Sequence, residues 1–349
     1  MPGLFSWVRA KLFPGHGATS EPAATQYRRS RRSFQGASQQ HPAQDRSSRE
    51  RLDDHLFCWL LDCSPRQLDE PSELTGKILR EVGSRLENEA LEELPRQPLT
   101  LPTLIRTLAS ESTTRKEVAR IILSDASLTD QVLQVANSPF FKAGEQPVET
   151  VDQAVFLLGL DGIRNVASAS VMRPMLAARN STEHAFSQRV WRWGLSCARA
   201  AELIALHRKE ESTSYFMVGL LPALAYLTLR REVQAILHRR YPDQRGTAQM
   251  YHETMVRFSW ATARKIARAW NLPPRYHALL LTAERPAPGE ACRPLNDGII
   301  LGTREVLRDA HQRNLGENEL QDLISLDPGQ LDKVRQILSR LLAEGISGR

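Results

Sequence analysis

Four cysteines and nine histidines are the residues of this sequence best able to hold a metal ion, act as nucleophiles or carry protons. A structural zinc site normally begins with a closely spaced pair of cysteines, followed by a second pair or by histidines. Cys58, Cys63, Cys197 and Cys292 do not show that spacing. We therefore interpret them as reduced thiols that pack as small hydrophobic side chains.

The histidines also lack a recognisable catalytic pattern. None of them forms an H-E-x-x-H motif, and no glycine-rich phosphate loop follows a strand-like segment. We predict that they are ordinary surface or core residues. One hypothesis stays open, in which Glu253 and Glu284 converge with His252 or His277 to form a non-standard metal site.

The elements that would position these residues are helices. From Arg51 onward apolar residues recur at helical spacing, and runs with strict alternation are absent. Thr114 and Thr150 each begin a capping-box pattern, and Gly159 suits a C-terminal cap because glycine tolerates a positive φ. Asp327 precedes a proline and opens an amphipathic helix that closes the chain. The sequence therefore predicts an all-α protein.

Residues 1–50 carry most of the excess positive charge, with eight Lys and Arg against three Asp and Glu. They are also rich in Ser, Gln, Pro and Gly, a composition that buries too little apolar surface to fold, so we predict a disordered basic tail. Two segments of this tail could bind anionic lipid or nucleic acid weakly. Residues 3–13 have the pattern of a short interfacial helix, and Arg28–Arg32 is a run of cations.

Turn-forming residues divide the rest of the chain. The predicted segments are a helical preamble at 51–93, a first helical lobe at 94–180, a second lobe at 181–290 and a C-terminal helical appendage at 291–349. The longest apolar run, Tyr215–Leu229, contains Pro222 and is shorter than the roughly 20 residues that span a membrane. We expect that run to form a buried core helix. With no secretory signal pattern at its start, the chain is expected to be cytoplasmic.

Three motifs in a fixed order resemble the N-terminal half of the HDOD domain. They are a Leu-Pro entry at 99–102, the segment LSDASLTDQVLQVANSPFF at 123–141 and the segment TVDQAVFLLGLDGIRNV at 150–166. Ala126 stands where the family often has proline, and Val151 and Val155 replace isoleucines, which are conservative departures. The resemblance implies a bacterial, two-lobed helical HDOD-type domain at 94–290, built on the fold of the metal-dependent HD phosphohydrolases.

The second lobe resembles the HD fold but lacks the residues by which its catalytic relatives bind metal. In those relatives histidines and a His-Asp pair form the site, whereas the matching positions here are Trp193, Pro222, Ala223 and Trp260. These side chains offer a metal no ligand, so the resemblance implies a protein without cofactor or phosphohydrolase activity. Trp193 and Trp260 are expected to lie close together, either as core or as a pocket that stacks a flat ligand.

Asn137, Arg164 and Asn165 are the other candidate contacts for a ligand or partner. Asn137 ends a helical stripe, where its short side chain can instead bond the freed carbonyl groups or adopt a left-handed conformation. Arg164 and Asn165 follow Gly159 in a segment predicted to be exposed. The alternative for both is that they are solvated residues near a helix start.

The HDOD resemblance implies a non-catalytic, regulatory role in signal transduction. The expected partner is another signalling protein, such as a response regulator or a cyclic-dinucleotide enzyme, or else a small second messenger. Two alternatives remain. One is a residual phosphohydrolase that uses the non-standard metal site, and the other is a nucleic-acid or membrane adaptor that binds through the basic tail.

Overall fold

A computed structural model describes residues 47–97, 101–109, 113–138, 141, 146–285 and 294–344. Helices and the loops between them make up these residues, and no strand occurs among them, which confirms the all-α fold. The helices are α1 (Ser48–Leu61), α2 (Pro65–Leu68), α3 (Glu73–Glu87), α4 (Leu101–Ala109), α5 (Arg115–Leu123), α6 (Ala126–Ala136), α7 (Val151–Met172), a 3-10 helix (Arg173–Leu176), α8 (Ser181–His207), α9 (Ser212–Gly219), α10 (Leu221–Arg240), α11 (Ala248–Ala269), α12 (Pro274–Glu284), α13 (Pro294–Asp309), α14 (Glu317–Leu323) and α15 (Pro328–Glu344).

The predicted helix ends are largely confirmed. Thr114 and Glu117 form a reciprocal capping box at the start of α5. At the start of α7, Thr150 accepts a hydrogen bond from the backbone N–H of Gln153 at 3.1 Å. The side-chain oxygen of Gln153 accepts from the N–H of Glu149 rather than from that of Thr150, so the capping box is not reciprocal. Gly159 has a φ of 69° and breaks the helical path inside α7, so its expected positive φ is confirmed, but α7 resumes after it and ends only at Met172.

The first described helix begins earlier than predicted. Ser47 and Glu50 form a capping box, so α1 starts at Ser48, inside the segment that was assigned to the tail. Ser47 is polar like the tail residues before it, so composition alone did not indicate that a helix starts here. Residues 1–46, with the two candidate binding segments of the tail, lie outside the described residues.

Two groups of helices account for most of the packing. Helices α4, α5, α6 and α7 pack on one another, while α8, α10, α11 and α13 pack together with α1 and α3. Helix α9 contacts both α7 and α8 and thereby connects the groups. The described residues between 47 and 344 belong to one compact unit, within which the lobe boundaries at 94, 181 and 291 stay predictions.

Helices α8 and α13 approach each other unusually closely. A Cβ atom added to Gly298 would lie 2.5 Å from the Ala201 Cα, and one added to Gly302 would lie 2.5 Å from the Cys197 Cα. These separations are far below van der Waals contact, so α13 can pack here only with glycine at both positions. Although α13 belongs to the predicted C-terminal appendage, it is part of the core of the second group.

We had expected the apolar run Tyr215–Leu229 to form one helix, but it is divided between two helices. The chain turns at Leu220, between α9 and α10, and Pro222 occupies the first turn of α10, where a missing N–H costs no hydrogen bond. By length and composition one helical stretch, Val151–Leu176, would suffice to cross a membrane. Because 56% of its apolar window is buried and core helices pass the same test, this is weak evidence for a membrane span.

Candidate functional site

The four positions that the HD resemblance assigns to metal ligands lie on three helices. Trp193 is in the middle of α8, Pro222 and Ala223 are in the first turn of α10, and Trp260 is in the middle of α11. The first three residues are buried and Trp260 is half-buried. Proline and alanine have no side-chain donor atom, and an indole nitrogen carries a hydrogen rather than a free lone pair. These residues do not fit a metal ion.

Trp193 is a fully packed core residue, with 1% of its surface exposed. Its ring lies parallel to that of Tyr226, with 4.7 Å between the ring centroids and 9° between the planes. Its Nε1 donates a hydrogen bond of 2.8 Å to the Thr303 hydroxyl on α13. Both the aromatic face and the single polar atom are therefore satisfied inside the protein. Tyr226, rather than Trp260, is the ring that stacks on Trp193.

Helix α1 supplies a further aromatic residue that the sequence analysis missed. The Phe57 ring lies 5.4 Å from the Tyr226 ring and 4.7 Å from the imidazole of His252 on α11. We call Phe57, Trp193, Tyr226 and His252 the aromatic cluster. The apolar spacing of α1 predicts that one of its faces is buried, but nothing local indicates that this face meets α10 and α11.

Two carboxylates of α1 border the aromatic cluster. Asp54 lies 4.0 Å from Nε2 of His252, and Asp53 accepts a hydrogen bond of 3.3 Å from Arg49. Asp53 keeps 37% of its side-chain surface, and partial burial raises the pKa of its carboxyl against the opposing charge of Arg49. Burial also lowers the pKa of His252, so its imidazole is mostly neutral at pH 7.

The carboxylates of the hypothesised non-standard metal site have other partners. Glu253 accepts a hydrogen bond of 2.8 Å from Gln249, and Glu284 pairs with Arg264 at 3.0 Å. Among the residues that the structure describes, no group of three or more His, Cys, Asp or Glu side chains is placed to hold a metal ion.

His277 lies on α12 in a surrounding of cations. It lines a depression of about 460 Å³ between α11 and α12, together with Ala261, Arg264, Lys265, Arg268 and Leu281. Three cations in this wall repel a metal ion. The structure therefore does not bring His252, His277, Glu253 and Glu284 together as a metal site.

Asn137 has a complete structural role. Its amide nitrogen donates to the Leu133 carbonyl at 2.8 Å and to the Val148 carbonyl at 2.7 Å, and its amide oxygen accepts from the Val148 N–H at 2.7 Å. The residue has a right-handed φ of −88°, so the local-bonding interpretation is confirmed and the left-handed one is wrong. Asn137 ties the end of α6 to the residues that lead into α7.

The exposed position predicted for Asn165 is wrong. It is 2% exposed and donates to Glu202 on α8 at 2.7 Å, because α7 continues as a helix beyond Gly159 and turns this residue towards α8. Arg164 has 13% of its side-chain surface exposed and pairs with Asp161 at 3.2 Å. Neither residue is an open contact of the kind that we expected.

Two buried glutamates of α8 have opposite pKa shifts. Burial raises the pKa of Glu202, and the opposing effects of Arg199 and Asn165 do not cancel it. Burial also disfavours the carboxylate of Glu183. Two hydrogen bonds from Arg231, at 2.7 Å and 3.1 Å, together with one from a backbone N–H, outweigh this effect and lower the pKa of Glu183. Both residues hold helices together rather than border a cavity.

One exposed apolar area stands out on the first group of helices. Phe156 of α7 is 74% exposed and Leu123 of α5 is 55% exposed. A depression of about 410 Å³ between these helices is lined by Lys116, Ala119, Arg120, Leu123, Ser124 and Asp152. Asp152 lies one helical turn before Phe156, so both face the same side. We call Lys116, Arg120, Leu123, Asp152 and Phe156 the α5–α7 patch.

The family model described as the HDOD domain matches residues 94–286, more than half of the chain. The chain belongs to the HDOD family. A search of the curated proteins found no match. The contacts of the aromatic cluster extend beyond the matched HDOD region. Phe57 precedes that region, and Thr303, the hydrogen-bond partner of Trp193, follows it.

Solved structures with the same fold come from several bacteria. A candidate metal-dependent phosphohydrolase from Shewanella amazonensis SB2B is 19% identical, covers 78% of this chain and 99% of its own, and gives a TM-score of 0.57. An HDOD domain protein of unknown function from Geobacter sulfurreducens is 19% identical, with coverages of 78% and 88% and a TM-score of 0.50. A candidate signal transduction protein from Marinobacter aquaeolei VT8 is 16% identical, with coverages of 78% and 65% and a TM-score of 0.52. At these identities the likeness shows the fold alone.

Proposed function

We propose that this HDOD protein is a non-catalytic regulatory module that transmits a signal by binding another protein. The observation that carries the proposal is Trp193, which is stacked and hydrogen-bonded at a position that the resemblance assigns to a metal ligand. Activation of water by a metal ion needs several converging donor atoms, and the described residues place no group of three or more His, Cys, Asp or Glu side chains to supply them. Membership of the HDOD family supports a regulatory role.

The α5–α7 patch is the surface that best suits a protein partner. An exposed phenylalanine beside a depression is an anchor that a partner can bury, and aromatic anchors dominate the energy of many interfaces. Lys116 and Arg120 border it, so the complementary surface is apolar with acidic residues at its edge. We propose a signalling protein of this kind in the cytoplasm, such as a response regulator or a cyclic-dinucleotide enzyme.

Affinity capture from the native cell with the full chain as bait tests this function. The bait variants are Phe156→Asp, which places a charge in the patch, and Leu206→Asp, which does the same to a residue of α8 that is 59% exposed. We expect a signalling protein to be captured by the wild type and by Leu206→Asp but not by Phe156→Asp. Equal capture by all three baits would contradict binding through the patch.

A chain that starts at Arg46 separates this function from the tail-adaptor alternative. That start keeps Ser47 and the capping box of α1, which a start at Arg51 would remove. We expect the shortened chain to capture the same protein at low and moderate salt. Loss of all capture on shortening, together with salt-sensitive capture by the full chain, would favour the basic tail instead.

A further inference from the structure

Two cysteines meet at the end of α1. Asp62 has φ 56° and ψ 50°, and the N–H of Cys63 donates to the Cys58 carbonyl at 3.0 Å. A left-handed residue and a hydrogen bond that spans six residues define the Schellman motif, which brings the first and last side chains of the span into contact. Hydrophobic residues usually make that contact. Here cysteines, Cys58 and Cys63, stand at those two positions.

We propose that Cys58 and Cys63 are a redox modification site, at which oxidised glutathione or a similar small disulfide converts the two thiols into a reversible intramolecular disulfide. The hydrogen bond from the Cys63 N–H to the Cys58 carbonyl holds the backbones of the two cysteines together at the helix end, so we expect the bond to form without unfolding α1. Both cysteines are half-buried, so a small reagent can reach them. Cys197 is fully packed against α13 and serves as an internal control.

The two thiols have different roles in the exchange. The hydrogen bond from Cys58 stabilises the Cys63 thiolate and lowers its pKa, while the same contact raises the pKa of Cys58. The Cys63 thiolate is therefore the attacking group, because thiolates are the nucleophiles in this chemistry.

The exchange balances in two steps. The Cys63 sulfur attacks oxidised glutathione, which forms a mixed disulfide and releases one glutathione thiolate. Cys58 then loses its proton, and its sulfur attacks the Cys63 sulfur and expels the second glutathione. In total two protein thiols are oxidised to one disulfide, and one glutathione disulfide is reduced to two thiols.

The position of this site connects it to the second group of helices. Arg189 of α8 donates to the Trp59 carbonyl at 2.5 Å and to the Asp62 carboxylate at 3.1 Å, on either side of the cysteine contact. Phe57, which precedes Cys58, belongs to the aromatic cluster. A disulfide would fix the helix end at which α1 meets both α8 and the cluster.

Peptide mapping of the full chain tests the proposal. Lys and Arg are absent between Arg51 and Arg66, so trypsin releases both cysteines in the single peptide Leu52–Arg66. The protein is equilibrated in glutathione buffers of increasing oxidised fraction, blocked with N-ethylmaleimide and digested. We expect this peptide to become unalkylated and lighter by two hydrogen atoms, and to regain both thiols after dithiothreitol.

Variants assign the steps and identify failure. In Cys58→Ser a glutathione mixed disulfide should accumulate on Cys63, whereas Cys63→Ser should react at least about tenfold more slowly because it lacks the favoured thiolate. Circular dichroism checks that both variants are folded. The proposal is overturned if the wild-type peptide stays fully alkylated in the most oxidising buffer. It is equally overturned if the two cysteines carry separate glutathiones or pair with a second chain.

Discussion

Replacing Trp193 with alanine should destabilise the protein by about 3–5 kcal/mol, the usual cost of removing a large aromatic side chain from a core. The structure gives the parts of this cost. The indole is 1% exposed, so the variant leaves a cavity that neighbours fill only partly. The stack on Tyr226 adds about 0.5–1.5 kcal/mol, and the buried Thr303 hydroxyl loses its partner at a cost of about 1–3 kcal/mol. These contributions overlap and are not summed.

Trp193→Phe separates the hydrogen bond from the packing. Phenylalanine keeps an aromatic face towards Tyr226 but cannot donate to Thr303, so the expected loss is about 1–3 kcal/mol. Thr303→Val removes the same hydrogen bond from the other side. Because the two changes share one interaction, the double variant should lose less stability than the sum of the single variants, by about 1 kcal/mol.

Urea unfolding followed by circular dichroism at the helix band measures these losses without depending on tryptophan emission. Leu206→Ala is the matched control, since a side chain that is 59% exposed should change stability by less than about 0.5 kcal/mol. If Trp193→Ala lost under about 1 kcal/mol, the indole would not be filling the core. That result would favour the alternative of an aromatic pocket that is open to a flat ligand.

Four further predictions concern stability. The pKa of Glu183 is lowered, so its contribution is present above pH 4.5 and is lost as the pH falls; Glu183→Gln should therefore be less stable than the wild type at pH 7, with a gap that closes in acid. The pKa of Glu202 is raised, so the wild type loses stability as the pH rises from 4.5, and Glu202→Gln should gain stability relative to the wild type over that range. Urea midpoints of the two glutamate variants are measured against pH. Parallel profiles would refute both pKa directions. Asn137→Ala should cost about 1–3 kcal/mol by leaving a buried N–H and a carbonyl unpaired, and a neutral urea result would mean that water replaces the amide. Gly302→Ala should destabilise by about 1–3 kcal/mol because its Cβ would lie 2.5 Å from a backbone atom, whereas Gly76→Ala, whose nearest neighbour would be 4.0 Å away, should be neutral or stabilising by thermal melting.

Local sequence signals predicted the start of α5 and the break in α7. Thr114 and Gly159 act through bonds and backbone angles within a few residues, so their types and spacing were sufficient evidence. The family resemblance then indicated a helical HDOD-type domain, and the all-α fold is confirmed.

Contacts between distant helices were harder to predict. Nothing near Trp193 in the sequence indicates that its stacking partner is Tyr226 or that Thr303 accepts its N–H, because these contacts depend on how α8, α10 and α13 cross. Asn165 was placed on the surface because it is polar and follows a break, but its amide nitrogen finds a partner in the interior by donating to Glu202. The same reason applies to Phe57, whose partners lie on helices far along the chain.

The most direct test of a non-catalytic HDOD protein is its metal content and phosphodiester hydrolysis, measured together. The purified full chain is incubated with Mn²⁺, Mg²⁺ or Fe²⁺, freed of unbound metal, analysed for bound metal and assayed with bis(p-nitrophenyl) phosphate. A His252→Ala variant gives the background, since His252 is the one histidine of the aromatic cluster. We predict less than one bound metal per chain and hydrolysis equal to that background. Stoichiometric metal with turnover that His252→Ala abolishes would contradict a regulatory protein without catalysis.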